Sequence, residues 1–151
     1  MSRIVSFRGL MQNATQDRIA LHTIDGSTGY RIVKFQIMPH ALGDNNDQEH
    51  VVMIWKTDHS ADLATTKTSR ADFSDNTLLA TGYVVNDIST SLHYSEDIIF
   101  DNEIFNQDIY ITLRDIAGGA QSCNYYIELE QIKLDLNENT VATLKDIRNV
   151  A

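Results

Sequence analysis

The 151-residue chain has a single cysteine, Cys123, and a single proline, Pro39. A lone thiol makes no internal disulfide, which fits a reducing compartment or a particle assembled inside a cell. Pro39 falls just after an alternating apolar run, where its missing N–H interrupts no ladder. Positive charge is scarce too: 12 Lys and Arg stand against 21 Asp and Glu, for a net charge of −9. Nucleic-acid binders draw affinity from basic side chains on phosphates, so this balance argues against such a partner. It equally disfavours an anionic membrane surface. No apolar run approaches the ~20 residues that span a bilayer. The opening MSRIVSFRGLMQ has neither the apolar core nor the small-residue cleavage site of a signal peptide.

Signatures of chemistry are also missing. There is no Gly-x-Ser-x-Gly elbow. Asp58-His59-Ser60 places the residue types of a triad side by side, but a triad is assembled in space and rarely from neighbours in a polar loop. Cys123 has no visible basic neighbourhood to activate it and reads as a small buried residue. The five histidines, His22, His40, His50, His59 and His93, show no zinc spacing. Acidic loops carrying Asp44, Asp47 and Glu49, then Asp72 and Asp75, then Asp97 and Asp101, have the oxygen chemistry of Ca²⁺ but not EF-hand spacing. They read as hydrated loops. Glu128 and Glu130 share a strand face opposite Ile127 and Leu129, the ordinary solvent side of an antiparallel strand. Gly118-Gly119 precedes a strand and so cradles no phosphate. Trp55 lies in the most apolar segment, which favours core packing over a sugar platform. The expectation is a protein that is not an enzyme, with no catalytic, cofactor or metal residues.

What the chain does have is a period of two. Val5 and Phe7 alternate with polar neighbours, Ile19 and Leu21 flank Ala20, and Val33, Phe35 and Ile37 alternate with Lys34 and Gln36. Val51, Met53 and Trp55 interleave with Val52, Ile54 and Lys56, the pattern of a central strand covered on both faces. Leu78–Val85, Ile98–Phe100, Ile109–Leu113 and a run from Cys123 follow, about eight strands in all. Asp25-Gly26-Ser27 and Gly118-Gly119 are hairpin signals. Residues 58–76 form a polar excursion anchored only by Leu63 and Phe73. Together these predict one domain over 1–151: an all-β antiparallel sandwich, jelly-roll-like, ending in a short helix.

CNYYIELEQIKLDLNENTVATLKDIRNV, residues 123–150, changes its apolar parity between Leu129 and Ile132. Either a β-bulge at Glu130-Gln131 restores the face, or the strand passes from one sheet to the other. Beyond it, Asn137 or Asn139 caps a short helix whose apolar side carries Val141, Leu144 and Ile147 or Arg148. A helix that short must rest on something, its own sandwich or a neighbouring subunit.

MSRIVSFRGLM, GYRIVKFQIMP, IIFDNEIFNQDIYIT and CNYYIELEQIKLDLNENTVATLKDIRN resemble strings in a family of small proteins from the structural-gene regions of marine tailed bacteriophages. The resemblance covers both flanks and not residues 58–96. It implies a virion component assembled in the host cytoplasm, foremost a homo-oligomeric head decoration or cement protein held by the major capsid protein or other virion proteins. A neck or tail part, or a receptor- or glycan-binding module, are the alternatives. On that reading Val141, Leu144, Ile147 and Arg148 are candidate assembly residues, with the 58–76 excursion turned outward and free to vary.

Overall fold

A computed structural model describes residues 3–43, 47–100 and 103–135. They form eight strands: β1 (Arg3–Met11), β2 (Thr15–Ile19), β3 (Thr28–Pro39), β4 (Gln48–Trp55), β5 (Leu78–Asp87), β6 (Leu92–Ile99), β7 (Ile109–Asp115) and β8 (Cys123–Lys133). The protein is all-β. The strands make two antiparallel sheets, of order β1-β8-β3 and β2-β7-β4-β5-β6. The pairing is nested: the first strand lies beside the eighth and the second beside the seventh.

One apolar core joins the sheets. Ile32, Phe35, Ile127 and Leu129 come from the smaller sheet, and Val52, Ile54, Ile111 and Leu113 from the larger. Each such side chain, taken fully out of water, contributes about 1.5–3 kcal/mol. The sheets approach closely at Gly82 of β5, where a Cβ would stand 3.0 Å from Phe35 Cε2 and 2.8 Å from Asp97 Oδ1. Only glycine leaves room there.

β4 is central and buried on both faces, as its double apolar pattern requires. Its second face, Val51, Met53 and Trp55, makes a separate cluster with Leu78. Residues 58–76 sit over this cluster, with His59 and Thr68 buried against it and most of the other residues exposed. Their two 3₁₀ turns, Ser60–Asp62 and Thr66–Thr68, bring the His59 ring to 3.8 Å from that of Trp55 and Lys67 Nζ to 5.8 Å from the indole. Arg114 Nη1 donates to the Leu63 and Thr65 carbonyls and ties the segment down. Phe73 is an exposed anchor, its ring edge-on to Phe100 at 4.6 Å.

Three local expectations are corrected. Asp25-Gly26-Ser27 and Gly118-Gly119 close no hairpins, because β2 and β3, like β7 and β8, lie in different sheets. Both turns carry the chain across the core. Gly26 and Gly118 have φ of 66° and 89°, and a turn of that kind serves a crossing as well as a hairpin. The hairpin among these turns is β5–β6, where Asp87 Oδ1 accepts the Ser89 N–H at 3.0 Å and Ser91 has φ 56°.

The bulge lies in β3, not at Glu130-Gln131. β8 pairs with β1 in unbroken register from Arg3↔Gln131 to Met11↔Cys123 and stays in one sheet throughout. Against β3 the register shifts between Ile32 and Lys34, leaving Val33 as the extra residue. Ile32 and Phe35 therefore both face the core, and Val33, expected beside Phe35, is 41% exposed. The parity change after Leu129 is made where β8 ends. Leu134, just past Lys133, donates its N–H to Ser27 O at 2.8 Å and turns inward. The expected terminal helix, with Val141, Leu144, Ile147 and Arg148, lies outside the described residues.

Candidate functional site

The outer face of the three-stranded sheet is the most distinctive surface of the molecule. Strand register sets its side chains in rows across β1, β8 and β3: Ile4, Glu130 and Arg31; Ser6, Glu128 and Lys34; Arg8, Tyr126 and Gln36; Leu10, Asn124 and Met38. An ion pair and a hydrogen bond engage the acidic side chains of the first two rows. Arg31 pairs with Glu130, and the Tyr126 hydroxyl donates to Glu128 Oε2 at 2.7 Å. Lys34 Nζ stands 6.0 Å from the centre of the Tyr126 ring.

The last two rows floor an open hollow of about 730 Å³, flanked by Ser95 and Asp97 from β6. Leu10 and Met38 are 49% and 55% exposed at its far end. Asn124 Nδ2 donates to Met38 O at 3.3 Å. Arg8 and Asp97 share the hollow, and neither has an ion-pair or hydrogen-bond partner among the described residues. Desolvation beside β5 pushes the Asp97 carboxyl above its ordinary value.

The residue types singled out for chemistry are engaged in structure instead. His59 Nδ1 lies 3.1 Å from Asp62 Oδ2 and Nε2 lies 3.2 Å from Thr57 Oγ1. Its N–H donates to Gln16 Oε1 at 2.7 Å, while Gln16 Nε2 donates to Asp58. Asp58 Oδ1 also accepts the Ser60 N–H, so the Asp58-His59-Ser60 run is a turn stitched to β2. Cys123 is 1% exposed, and burial pushes its thiol up to about 12. Glu128 and Glu130 point outward into the rows described above.

The acidic loops do not converge. Asp47 accepts the Ile88 N–H, and Glu49 accepts the Tyr83 hydroxyl. Asp72 and Asp75 close turns onto Ser74 and Thr77, and Asp75 also takes Lys67. Among the described residues no group of three His, Cys, Asp or Glu side chains could hold a metal ion. Asp44 and Asp101 lie outside them.

Two aspartates that sequence patterns did not single out are structural hubs. Asp108, 8% exposed, accepts from Arg18 Nε at 2.7 Å, from the Leu21 and His22 N–H groups at 2.8 and 3.0 Å, and faces His22 Nδ1 at 2.7 Å. Burial opposes its charge, but these bonds outweigh burial and hold the carboxyl well below the usual range. Asp115 accepts the N–H groups of Glu49, Ala117 and Gln121. Each sits at an end of β7 and fastens a crossing loop. A single Asp beside a strand has no sequence signature that separates it from an exposed one.

The chain matches no family model, and no curated protein matches it.

Proposed function

We propose that the protein is a structural subunit of a phage virion, a decoration or cement protein that binds the head shell by protein–protein contacts and works in many copies. The reading rests on strand order. The two antiparallel sheets, β1-β8-β3 and β2-β7-β4-β5-β6, with the first strand beside the eighth and the second beside the seventh, support a jelly-roll-like sandwich. Capsid and lectin domains use that architecture, which supplies a rigid body with several surfaces open to neighbours. Fold alone does not assign function, so the resemblance of the flanking strings to phage structural proteins carries the remainder.

The acidic character agrees with a place on the outside of a shell, away from packaged nucleic acid. Val141, Leu144, Ile147 and Arg148 are the residues proposed to dock on the major capsid protein or a second copy.

The test mixes the protein with shells assembled without it and counts bound copies. Saturation at a fixed copy number per shell is expected. Binding to isolated necks or tails in place of shells reassigns the subunit to those parts, and binding to none of them ends the reading. A chain truncated before residue 138 keeps its sheets and binds more weakly. If it fails to fold, the segment belongs to the core.

A further inference from the structure

Arg8 and Asp97 are opposite charges in one hollow with no bond between them and no other partner among the described residues. Gln36 and Ser95 likewise offer unused side-chain donors and acceptors, and Asn124 has spent only its amide nitrogen, on Met38 O. Tyr126 adds an aromatic wall. Lys34 and Glu128 engage it from the neighbouring row, so the side toward Asn124 belongs to the hollow.

An apolar occupant would strand Arg8 and Asp97 without water or partner, which is costly. A simple anion meets Asp97, and a simple cation meets Arg8. A neutral polyol satisfies all of them, because every hydroxyl both donates and accepts. A pyranose adds an apolar C–H face that fits against an aromatic ring.

We infer that this hollow is a carbohydrate subsite taking one neutral pyranose, with its hydroxyls on Asp97, Arg8, Gln36 and Asn124 and its C–H face on Tyr126. The volume of about 730 Å³ accommodates such a unit with room for its continuation into a longer glycan. An open site with few anchors binds singly at about the millimolar level. Many copies on one particle convert that into useful avidity. The avidity rests on the many-copy reading proposed above, whereas the binding of a single sugar does not.

The test is saturation-transfer NMR on the full chain with D-galactose, D-mannose and N-acetyl-D-glucosamine as probes, and L-alanine and inorganic sulfate as controls. At least one sugar is expected to receive saturation, with amide shifts confined to β1, β3, β6 and β8 around the hollow. Asp97→Asn and Tyr126→Ala each weaken binding about tenfold or more, with amide spectra otherwise those of the folded protein. Silence from all three sugars, response to L-alanine or sulfate alone, shifts elsewhere on the molecule, or unchanged binding in both variants overturns the assignment.

Discussion

The Trp55 indole N–H donates to Thr112 Oγ1 at 2.9 Å, across β4 and β7, and the two residues are 2% and 0% exposed. The bond lets a large amphipathic ring be buried under residues 58–76 without an orphaned donor. Thr112→Val keeps the shape and removes the acceptor, so the indole N–H is left dry and unpaired. The expected cost is about 1–3 kcal/mol, read as a lower urea midpoint at unchanged slope. A Trp55→Phe background abolishes most of that cost, because no donor remains to strand. Equal losses in both backgrounds would dismiss the bond.

Asp108 binds Arg18, His22 and the Leu21 N–H with one carboxylate. Asp108→Asn removes the charge and one acceptor while keeping size. Arg18 is half exposed and relaxes into water, so the loss comes mainly from the loop, at about 1.5–3 kcal/mol. The folded-state value is depressed, so this stabilisation is present above the ordinary carboxylate pKa of about 4 and is lost only as pH falls beneath it. Chemical denaturation at neutral pH should separate the two proteins, and the gap should narrow steadily as pH falls below about 4.

His50 is 0% exposed; Nε2 meets Gln48 Oε1 at 3.0 Å, and Nδ1 has no partner. Burial lowers its pKa from 6.5, against a smaller opposing pull from Asp115. The unfolded chain then takes up the proton first as pH falls. Stability must decline below that ordinary value, by about 1 kcal/mol per pH unit from this group. His50→Gln flattens the decline by that amount. Melting temperatures from pH 7.5 to 5 for both proteins provide the comparison, and parallel curves would rule His50 out.

Cys123 should resist thiol reagents in the native protein. It is buried, and its thiolate is disfavoured by burial. Labelling must wait for opening, so it runs at least about a thousandfold slower than for a free thiol. Denaturant restores the ordinary rate. Prompt labelling under native conditions contradicts the packing of β8 against β3.

The period-two reading was legible where strands bury one face or both, as in β3, β4, β7 and β8. It was mute on partners: Asp25-Gly26-Ser27 and Gly118-Gly119 have turn chemistry, yet the strands they join pair elsewhere. β6 was seen only at Ile98–Phe100, because Leu92–Asp97 is exposed on both sides of an edge and shows no contrast. The bulge was inferred from the wrong strand, since a parity slip in β8 and one in β3 leave similar hydrophobic imbalances. The hollow is invisible in the sequence because Arg8, Gln36, Asp97 and Asn124 are ordinary polar residues, brought together by the register of β1, β8 and β3 and by the packing of β6 against β3. Excluding Trp55 as a sugar platform came directly from its apolar neighbours, whereas Tyr126 had no such mark.

The pairing of Arg3 with Gln131 sets a timetable for synthesis. β1 has β8 as its hydrogen-bonded neighbour and waits for it through the synthesis of every strand between them. The smaller sheet has β8 as its middle strand, so none of it can form before β8 has been made. The pairings of that layer are far apart in sequence, so its formation is slow. Until it closes, the apolar faces of β1 and β3 stand open.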